Sequence, residues 1–444
     1  MKNSHRILRA EDLRLVVECL RRGACCSVVA PSDMGKSRFL KHLLADDMRR
    51  ACAHNGHLPL MVFIDCREAG NSEQTFYELL LRRLVEELET TPTSPIFNRL
   101  KKLHTQILHS ESELEARATF AGLTRELARD ESLALVFILD KFDDLFRTFP
   151  AQPLRELCAM REQLGAQLTF VTATARRLDL IRADEATRDW RELFYTCTLI
   201  LRPLSAEGIR YLIQEWLSEE GTKLTEDAIT LAVELSGGHP GLATQVCRVF
   251  AAHVRMKNLD TARAVTLALQ DDAVTQVCQR LWEELEEVDQ QALRALVMSG
   301  QANVDAREIQ TLHSKGLVTP TASTVIAFSP LLAKWIETVL APTLPDAAQG
   351  VHCDAHTGHI WVDAREVTLT LSEPQRKLLK LLWQKKDQVV TYQEIVEQVW
   401  DTDEGVSPGA IYELVKRTRQ KVEADWKHPK YIVTVAGEGY RLEE

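Results

Sequence analysis

Short apolar runs alternate with amphipathic stretches over the first 200 residues of the chain. Strands of a parallel sheet are buried on both faces, so they give near-continuous apolar runs in place of strict alternation. The runs that fit this description lie at residues 26–30, 60–65, 133–140, 168–172 and 198–201. Between the second and third runs, residues 71–130 are polar with helical periodicity and predict an insertion of several helices. The pattern predicts a doubly wound α/β domain over residues 1–204.

From residue 205 to about residue 339 the apolar positions change to helical spacing. Strand signals nearly vanish, and apolar side chains recur three or four positions apart, as at Ile209, Leu212, Ile213, Trp216 and Leu217. This predicts a helical domain at 205–283. Residues 284–341 then give helices followed by two short apolar runs around a polar turn. That order predicts a small winged-helix module with a β-hairpin wing.

The last part of the chain has a third pattern. A segment at 342–350 contains Pro, Ala and Gly, lacks periodic apolar positions and predicts a linker. Residues 351–444 give short strands at 359–362 and 366–369, and then a helix that Ser372 caps. A helix after Thr391, a helix from about 408 to 422 and a closing two-strand hairpin follow. This order predicts a separate C-terminal domain.

The composition is that of a globular chain with more than one core. Of 444 residues, 45% are hydrophobic and 27% are charged, which excludes a disordered or collagen-like chain. With 54 Lys and Arg against 64 Asp and Glu, the formal net charge is −10. Any contact with nucleic acid must therefore use a local patch.

Cysteine usage and hydropathy bear on the compartment. The ten Cys residues form no CxxC pair, and no secretory leader precedes them. No apolar run approaches the length of about 18 to 20 residues that a bilayer crossing requires. We therefore expect a cytoplasmic protein with reduced thiols and no membrane contact.

A phosphate-binding loop follows the first predicted strand. Residues 30–37, APSDMGKS, fit the pattern G-x-x-x-x-G-K-[ST] except that Ala30 stands in the first glycine position. Gly35 lets backbone N–H groups approach phosphate oxygens, Lys36 places a charge at the β- and γ-phosphates, and Ser37 offers a hydroxyl to Mg²⁺. These four residues, with the adjacent Arg38, are the candidate ligands of ATP or ADP.

The third predicted strand ends in Asp140, a carboxylate placed to hold Mg²⁺ together with Ser37. The next residue is Lys141, where P-loop ATPases of the AAA+ and STAND type usually carry an acid that polarises the attacking water. A charged Lys cannot accept that proton. Asp143 and Asp144 are the candidate catalytic substitutes; the alternative is that both are helix N-terminal charges that the helix dipole stabilises. The sequence predicts nucleotide binding with slow or absent hydrolysis.

Polar residues also follow the fourth predicted strand. Thr172 or Thr174 is a candidate sensor of the γ-phosphate. Arg176 and Arg177 place two cations beside the nucleotide if the strands adjoin one another; the alternative is that they start a solvated helix. Farther on, SGGHPG at 236–241 interrupts two predicted helices and fixes a turn between them.

These motifs resemble a STAND-type P-loop ATPase of the AAA+ group over roughly residues 5–340. The resemblance lies in the nearly complete phosphate loop, the strand end LDKFDD, the turn from Gly238 to Pro240 and the winged-helix-like module. It implies an α/β P-loop ATPase with a helical lid at 205–283 that moves as nucleotide exchanges. It also implies that Pro240 lies near the nucleotide base. Ala30 and Lys141 depart from the family pattern, and they bear on turnover more than on the fold.

The C-terminal domain resembles the OmpR/PhoB-type winged-helix DNA-binding domain over about 90 residues. The matching stretches are LSEPQ at 371–375, VVTYQEIVEQVW at 389–400, VKRTRQKV at 415–422 and TVAGEGYRL at 434–442. The resemblance implies that the helix at 408–423 enters the major groove of double-stranded DNA. It also implies that the hairpin at Gly437 is a wing in the minor groove.

The candidate DNA contacts lie on this helix and on the wing. Helical spacing puts Ile411, Val415 and Val422 on an inward stripe and leaves a polar face outward. The candidate residues are Tyr412, Lys416, Arg417, Arg419, Lys421 and Arg441. Residues 351–444 hold 13 Lys and Arg against 16 Asp and Glu, so DNA affinity depends on one helix face. The alternative is a winged helix that binds protein.

The predicted function is a transcription regulator in which the ATP or ADP state of the P-loop module governs oligomerisation and DNA binding. Its expected partners are double-stranded DNA, further copies of the chain and RNA polymerase. Two alternatives stay open. One is an ATP-dependent nucleic-acid machine of the origin-recognition or transposition type. The other is a STAND protein sensor, for example in defence, that uses the winged helix as an adaptor.

Overall fold

The computed structural model describes residues 8–53, 57–70, 72–89, 95–129, 133–253, 260–300, 304–321, 324–339, 350–353, 360–363, 365–400 and 406–443. The chain forms two compact units, Met1–Glu337 and Thr338–Glu444. The predicted linker at 342–350 lies outside the described residues apart from Gly350.

A parallel sheet forms the centre of the first unit. Its strands are β1 (Cys26–Val29), β2 (Pro59–Asp65), β3 (Ala134–Asp140), β4 (Leu168–Thr174) and β5 (Thr198–Ile200). They lie in the order β2-β3-β4-β1-β5, and each neighbouring pair is parallel. The predicted doubly wound sheet is therefore confirmed. Because parallel strands end at the same edge, the loop after β1 and the acid at the end of β3 come to one side of the sheet.

Alternate residues of each strand enter different cores. Phe137 and Leu139 pack into one buried cluster, and Val136 and Ile138 pack into another on the opposite face. Helices cover both faces for this reason, since each apolar face must be removed from water. They are α1 (Ala10–Arg21), α2 (Lys36–Leu43), α3 (Asp46–Ala51), α4 (Glu73–Glu89), α5 (Pro95–Leu108), α6 (Glu113–Phe120), α7 (Gly122–Ala128), α8 (Asp143–Thr148), α9 (Ala151–Leu164), α10 (Leu178–Ile181) and α11 (Arg188–Glu192). The helices predicted at 71–130 are α4 to α7.

A helical region and a small hairpin module complete the first unit, as the apolar spacing predicts. The lid helices are α12 (Ala206–Glu219), α13 (Glu226–Ser236), α14 (Pro240–Ala252), α15 (Thr261–Leu269) and α16 (Asp272–Glu283). The module that follows contains α17 (Glu287–Ser299), α18 (Ala306–Ser314), the antiparallel strands β6 (Val318–Pro320) and β7 (Val325–Ala327), and α19 (Pro330–Val339).

The turn between α13 and α14 needs its two glycines. Gly237 and Gly238 have φ angles of 57° and 93°, in the left-handed region that L side chains rarely adopt. A Cβ on Gly237 would lie 1.9 Å from the carbonyl oxygen of Phe328, and one on Gly238 would lie 2.3 Å from that of Leu204. The glycines thus let three backbone segments meet at the entrance to the lid.

The C-terminal unit has two small sheets around three helices. The first sheet contains β8 (Val351–Cys353), β9 (Ile360–Val362) and β10 (Arg365–Glu366). The helices are α20 (Glu373–Gln384), α21 (Tyr392–Trp400) and α22 (Pro408–Val422), and Ser372 forms a capping box with Gln375 at the start of α20. The second sheet contains β11 (Val389–Thr391), β12 (Ile432–Val435) and β13 (Gly439–Leu442), in the order β11-β13-β12.

Two details of this unit differ from the sequence prediction. Residues 366–369 are not a strand: β10 ends at Glu366, and Thr368–Thr370 is a 3₁₀ turn. The Thr368 hydroxyl accepts a hydrogen bond from the Ile360 N–H at 2.8 Å, and this local bond competes with strand pairing. The wing also gains β11, which pairs with β13 and is too short to show a period of its own.

The expectation of reduced thiols is wrong for one pair, because Cys19 and Cys197 form a disulfide. These residues are 178 positions apart and meet because α1 packs beside β5. Sequence spacing cannot indicate that contact. The other cysteines are free and buried: Cys25, Cys26, Cys52, Cys66, Cys158, Cys247, Cys278 and Cys353. No helix in the described part of the chain has both the length and the apolar character to cross a bilayer.

Candidate functional site

The phosphate loop connects β1 to α2 at the carboxyl edge of the sheet. Its left-handed positions are Asp33, with φ 60°, and Gly35, with φ 85°. Ala30 is not one of these positions, so a methyl group at the first glycine position causes no backbone strain. The loop therefore keeps its form although the motif is incomplete.

Lys36, the first residue of α2, points its ammonium back into the loop. Nζ donates to the carbonyl oxygen of Pro31 at 3.0 Å and to that of Ala30. Burial lowers the pKa of Lys36, while the negative charges of Asp143, Glu284 and Asp140 act in the opposite direction. The ammonium is thus largely desolvated and surrounded by anions of the protein itself.

A cavity of about 1280 Å³ opens in front of the loop. Residues 32–38 form its polar side, together with Asp143, Asp144 and Arg176. The lid contributes Leu212, Trp216 and Pro240 as apolar residues among charged ones such as Glu219 and Arg248. The Trp216 Nε1–H is buried and has no hydrogen-bond partner among the described residues. The cavity thus joins the phosphate loop to a wall on which a few apolar side chains lie among charged ones.

The acids after β3 have different surroundings. Asp140 is 1% exposed, and its carboxylate accepts the N–H of Lys141 at 3.0 Å. The Asp143 carboxylate accepts the Ala175 N–H at 2.7 Å, and burial raises its pKa. Asp144 is 88% exposed and pairs with Arg147 at 3.3 Å. Of the two proposed substitutes for the missing acid, Asp143 is the one held beside Lys36.

The two candidate threonines lie in β4, are fully buried and do not line the cavity. Thr172 is fully buried, and its hydroxyl donates to Ser27 Oγ at 3.2 Å, inside the sheet. The structure therefore does not bring Thr172 to the site. Thr174, the last residue of β4, lies beside the loop: its carbonyl accepts the Ala30 N–H at 3.1 Å, and its buried hydroxyl has no partner in the described part of the chain. Thr174 is thus the better placed of the two candidate sensors.

The predicted cationic residues are tied to the lid. Arg176 Nε donates to the carbonyl oxygen of Glu284 at 3.0 Å, and its Nη2 donates to that of Glu283. Arg38 forms an ion pair with Glu215 of α12 at 2.5 Å. These contacts do not fit the solvated-helix alternative for Arg176, whereas Arg177 does fit it: it is exposed, precedes α10 and pairs with Asp179 at 2.9 Å. The Arg176 and Arg38 side chains instead join the sheet domain to the helical region.

Some residues at the site were missed in the sequence. Glu284 Oε2 accepts the Ser32 N–H at 2.5 Å, and its other oxygen accepts the Ser32 hydroxyl. Arg280 pairs with Asp33 at 2.9 Å, and Arg9 donates to the Met34 carbonyl at 3.2 Å. None of them belongs to a motif, and Ser32 and Glu284 are 252 positions apart. No local signal could have identified them.

His239, in the glycine turn, fixes the lid to the loop as a neutral imidazole. It is fully buried, and burial lowers its pKa to about 4. Nδ1 accepts the Leu242 N–H at 3.1 Å, so Nε2 carries the proton and donates to the Ser32 carbonyl at 3.2 Å. The Gly241 N–H also donates to the Asp33 carbonyl at 3.1 Å. Two hydrogen bonds thus hold the start of α14 against the loop backbone.

The outward face of α22 is the candidate DNA surface in the second unit. Ile411, Val415 and Val422 are buried, which confirms the predicted inward stripe. Tyr412 is 56% exposed, and the Arg417 side chain is 71% exposed. The Glu413 carboxylate lies 3.0 Å from Lys416 Nζ and 3.6 Å from Arg417 Nε. This face carries two cations with one carboxylate between them.

The other predicted cations of this unit make contacts within it. Arg419 donates to the Ile432 carbonyl at 2.9 Å and to Thr434 Oγ1 at 2.8 Å, which joins α22 to the wing. Lys421 donates to Gln375 Oε1 at 2.9 Å and to the Thr370 carbonyl. Arg441 pairs with Glu443. Arg419 and Lys421 therefore join elements of the unit, whereas Arg441 forms a local surface pair. Tyr412, Lys416 and Arg417 are the members of the candidate set on the outward face of α22.

Two family models match the chain. The model described as "Novel STAND NTPase 1" matches residues 8–325, most of the chain. The chain belongs to this STAND NTPase family. A second model, "Transcriptional regulatory protein, C terminal", matches residues 365–442 of the same STAND NTPase. The phosphate loop lies in the first match and the α22 face in the second.

Curated relatives match a short part of the STAND NTPase. Sensory transduction protein RegX3 of Mycobacterium bovis is 37% identical over 76 residues, 17% of this chain and 34% of the relative. Transcriptional regulatory protein CusR of Escherichia coli K12 is 34% identical over 124 residues, 26% of this chain and 52% of the relative. The chain thus spans between a third and about half of the length of these relatives.

Solved structures are similar to about three quarters of the chain at low identity. The Walker-type ATPase PABY2304 of Pyrococcus abyssi has a TM-score of 0.46 and 17% identity, covering 76% of this chain and 98% of its own. The Aeropyrum pernix ORC1 protein in complex with DNA has a TM-score of 0.38 and 15% identity, covering 74% and 92%. With TM-scores below 0.5, these likenesses add nothing to the assignment by family.

The buried neutral His239 predicts a pH dependence of stability. In the unfolded chain this residue takes up a proton near its ordinary pKa of about 6.5, whereas in the folded chain it does so only near 4. The contribution of neutral His239 to the free energy of unfolding is complete above pH 6.5. As the pH falls towards 4, up to about 3 kcal/mol of it is lost. His239→Asn keeps an oxygen acceptor for the Leu242 N–H and does not titrate. Urea unfolding between pH 7 and 4 should therefore show a smaller loss of unfolding free energy in this variant; equal losses would contradict the assignment.

Proposed function

We propose that this STAND NTPase is a DNA-binding transcription regulator in which a bound nucleotide controls oligomerisation and DNA binding. The observation that carries the proposal is the presence, in one chain, of a formed phosphate loop and a regulator-type winged helix. The phosphate loop provides a site that nucleotide can occupy or leave, and the winged helix provides the contact with DNA. A nucleotide-independent regulator would not need a desolvated lysine in front of a large cavity.

The nucleotide we propose is ATP or ADP with Mg²⁺, and the residues present fit it. Lys36 is a partly buried cation whose ammonium bonds two carbonyl oxygens of the loop, and a phosphate chain would give it a full negative partner in direct contact. The unpartnered Trp216 N–H and Pro240 lie on the lid wall of the cavity, where a base would be received. Bound Mg²⁺ would screen the phosphate charges, and Ser37 and Asp140 are the residues that would hold it.

We propose that hydrolysis is slow and that Asp143 is the residue that serves it. Lys141 occupies the usual position of the acid, and its backbone is left-handed with φ 53°. Asp143 is buried near Lys36 and already accepts one backbone N–H, which leaves its second oxygen to orient water. Asp144 faces solvent and plays no part in this scheme.

For DNA, we propose that Tyr412, Lys416 and Arg417 contact the major groove, while Arg419 and Lys421 position the helix. Arg441 is available for a wing contact only when Glu443 is displaced from it. Further copies of the chain and RNA polymerase are the partners that a regulator of this kind needs. A role on DNA implies a cytoplasmic location. The Cys19–Cys197 disulfide is unusual for that location, because disulfides are rare in a reducing cytosol.

Lys36→Ala tests the nucleotide site. We expect ATP and ADP affinity to fall by about 100-fold or more, because the charge-assisted contacts to the phosphates are lost. Isothermal titration calorimetry of the full chain measures this. Lys41→Ala is the matched control, since Lys41 is an exposed lysine of the same helix whose Nζ lies over the Phe63 ring. Equal affinities for Lys36→Ala and the wild type would refute the site.

Arg417→Ala tests the DNA face. We assign Arg417 to a phosphate at the edge of the groove, so its loss should weaken binding to every duplex and lower the slope of log affinity against log salt by about 1. Fluorescence anisotropy at several salt concentrations, on a duplex selected from a random library, measures both quantities. Gln420→Ala is the control for the slope, because it removes an exposed neutral side chain of the same helix. An unchanged slope in Arg417→Ala would favour a protein-binding role.

A further inference from the structure

Glu284 places a carboxylate on the phosphate loop. One of its oxygens accepts the Ser32 N–H at 2.5 Å, and the other accepts the Ser32 hydroxyl. Backbone N–H groups of such loops are the donors that hold phosphate oxygens in P-loop proteins. The carboxylate therefore engages a donor that an arriving phosphate needs.

Neighbouring contacts fix the same chain segment around the loop. Arg280 of α16 pairs with Asp33 at 2.9 Å. Arg176, a predicted nucleotide contact, instead donates hydrogen bonds to the carbonyl oxygens of Glu283 and Glu284 at the end of α16. The end of this helix is thus held by Ser32, Asp33 and Arg176, which all line the cavity.

Electrostatics makes the carboxylate and a phosphate chain compete. Glu284 is one of the negative charges that favour the ammonium form of Lys36 against the effect of burial. It also adds to the effect of burial in raising the pKa of Asp143, so the two carboxylates repel one another. A nucleotide that entered with Glu284 in place would bring further negative charge to the same point. One anion must leave before the other is held.

The same segment is tied to the winged-helix-like module. Two residues after Glu284, the Glu286 carboxylate lies 2.8 Å from Lys315 Nζ, and Asp289 of α17 lies 2.6 Å from the same nitrogen. Lys315 follows α18 directly. If Glu284 moves away from the loop, the residues that follow it move as well. These residues are bound to the module through Lys315.

We propose that Glu284 is an intramolecular latch: its carboxylate occupies the phosphate loop, and the phosphate chain of a nucleoside diphosphate or triphosphate displaces it. Displacement frees the end of α16 from Ser32 and releases Arg176 for the nucleotide. The proposal rests on the nucleotide binding proposed above. It adds a regulatory contact to that site. In this contact Glu284 stays bonded to Ser32 until a phosphate replaces the carboxylate.

Glu284→Gln removes the charge and keeps the size of the side chain. We expect ATP and ADP to bind the full-length variant about tenfold more tightly than the wild type, because the competing anion is gone. Glu283→Gln is the matched control: the Glu283 carboxylate accepts a hydrogen bond from Gln279 at 2.8 Å, and the substitution leaves its backbone carbonyl in place. Titration calorimetry gives the affinities, and circular dichroism verifies that each variant is folded.

Ser32→Ala is a second variant, which removes the hydroxyl partner of Glu284 and should tighten binding by a smaller factor. The latch is refuted if folded Glu284→Gln binds nucleotide as the wild type does, or more weakly, while Lys36→Ala still abolishes binding. If neither the wild type nor any variant binds ATP or ADP, the proposed nucleotide function fails, and the latch fails with it.

Discussion

The partly buried ammonium of Lys36 is the charge around which the candidate site of the first unit is arranged. Removing a cation from water is costly, and here the carbonyls of Ala30 and Pro31 bond the ammonium while the negative charges of Asp143, Glu284 and Asp140 favour its charged form. The parallel sheet makes this possible, since β1 and β3 end at the same edge and bring the loop beside Asp140. The lid completes the shell through Glu284. The site therefore balances a cation with the protein's own anions at the place where a nucleotide would supply its phosphates.

The lid reaches the loop through backbone contacts that leave little freedom. His239 is held neutral by burial and bonds the Ser32 carbonyl, while Gly237 and Gly238 allow neighbouring backbones to approach closer than any Cβ permits. A displacement of the loop backbone would therefore alter the contacts of α14 and of the end of α16. The connection is short, because single side chains such as His239 and Glu284 bond the loop directly.

Local patterns in the sequence predicted the fold and the phosphate loop, and contacts between distant residues escaped them. The strands, the Lys36 loop and the inward stripe of α22 follow from periodicity and motif spacing, which are properties of neighbouring residues. Glu284 on Ser32 and Cys19 on Cys197 depend on tertiary packing across 252 and 178 positions, so no pattern marks them. Thr172 and Arg419 were chosen for residue type, and only the structure shows that Ser27 and the wing already engage them.

Nucleotide control of DNA binding is tested most directly by measuring the DNA affinity of the full chain without nucleotide, with ADP and with ATP, each in the presence of Mg²⁺. Anisotropy on a duplex selected from a random library, at one fixed salt concentration, gives the affinity. A nucleotide-controlled regulator shows an affinity that differs between these states in the wild type and is the same in all of them for Lys36→Ala. Equal affinities in all three states of the wild type, with nucleotide shown to be bound, would contradict nucleotide control and leave a DNA-binding protein whose phosphate loop serves another purpose.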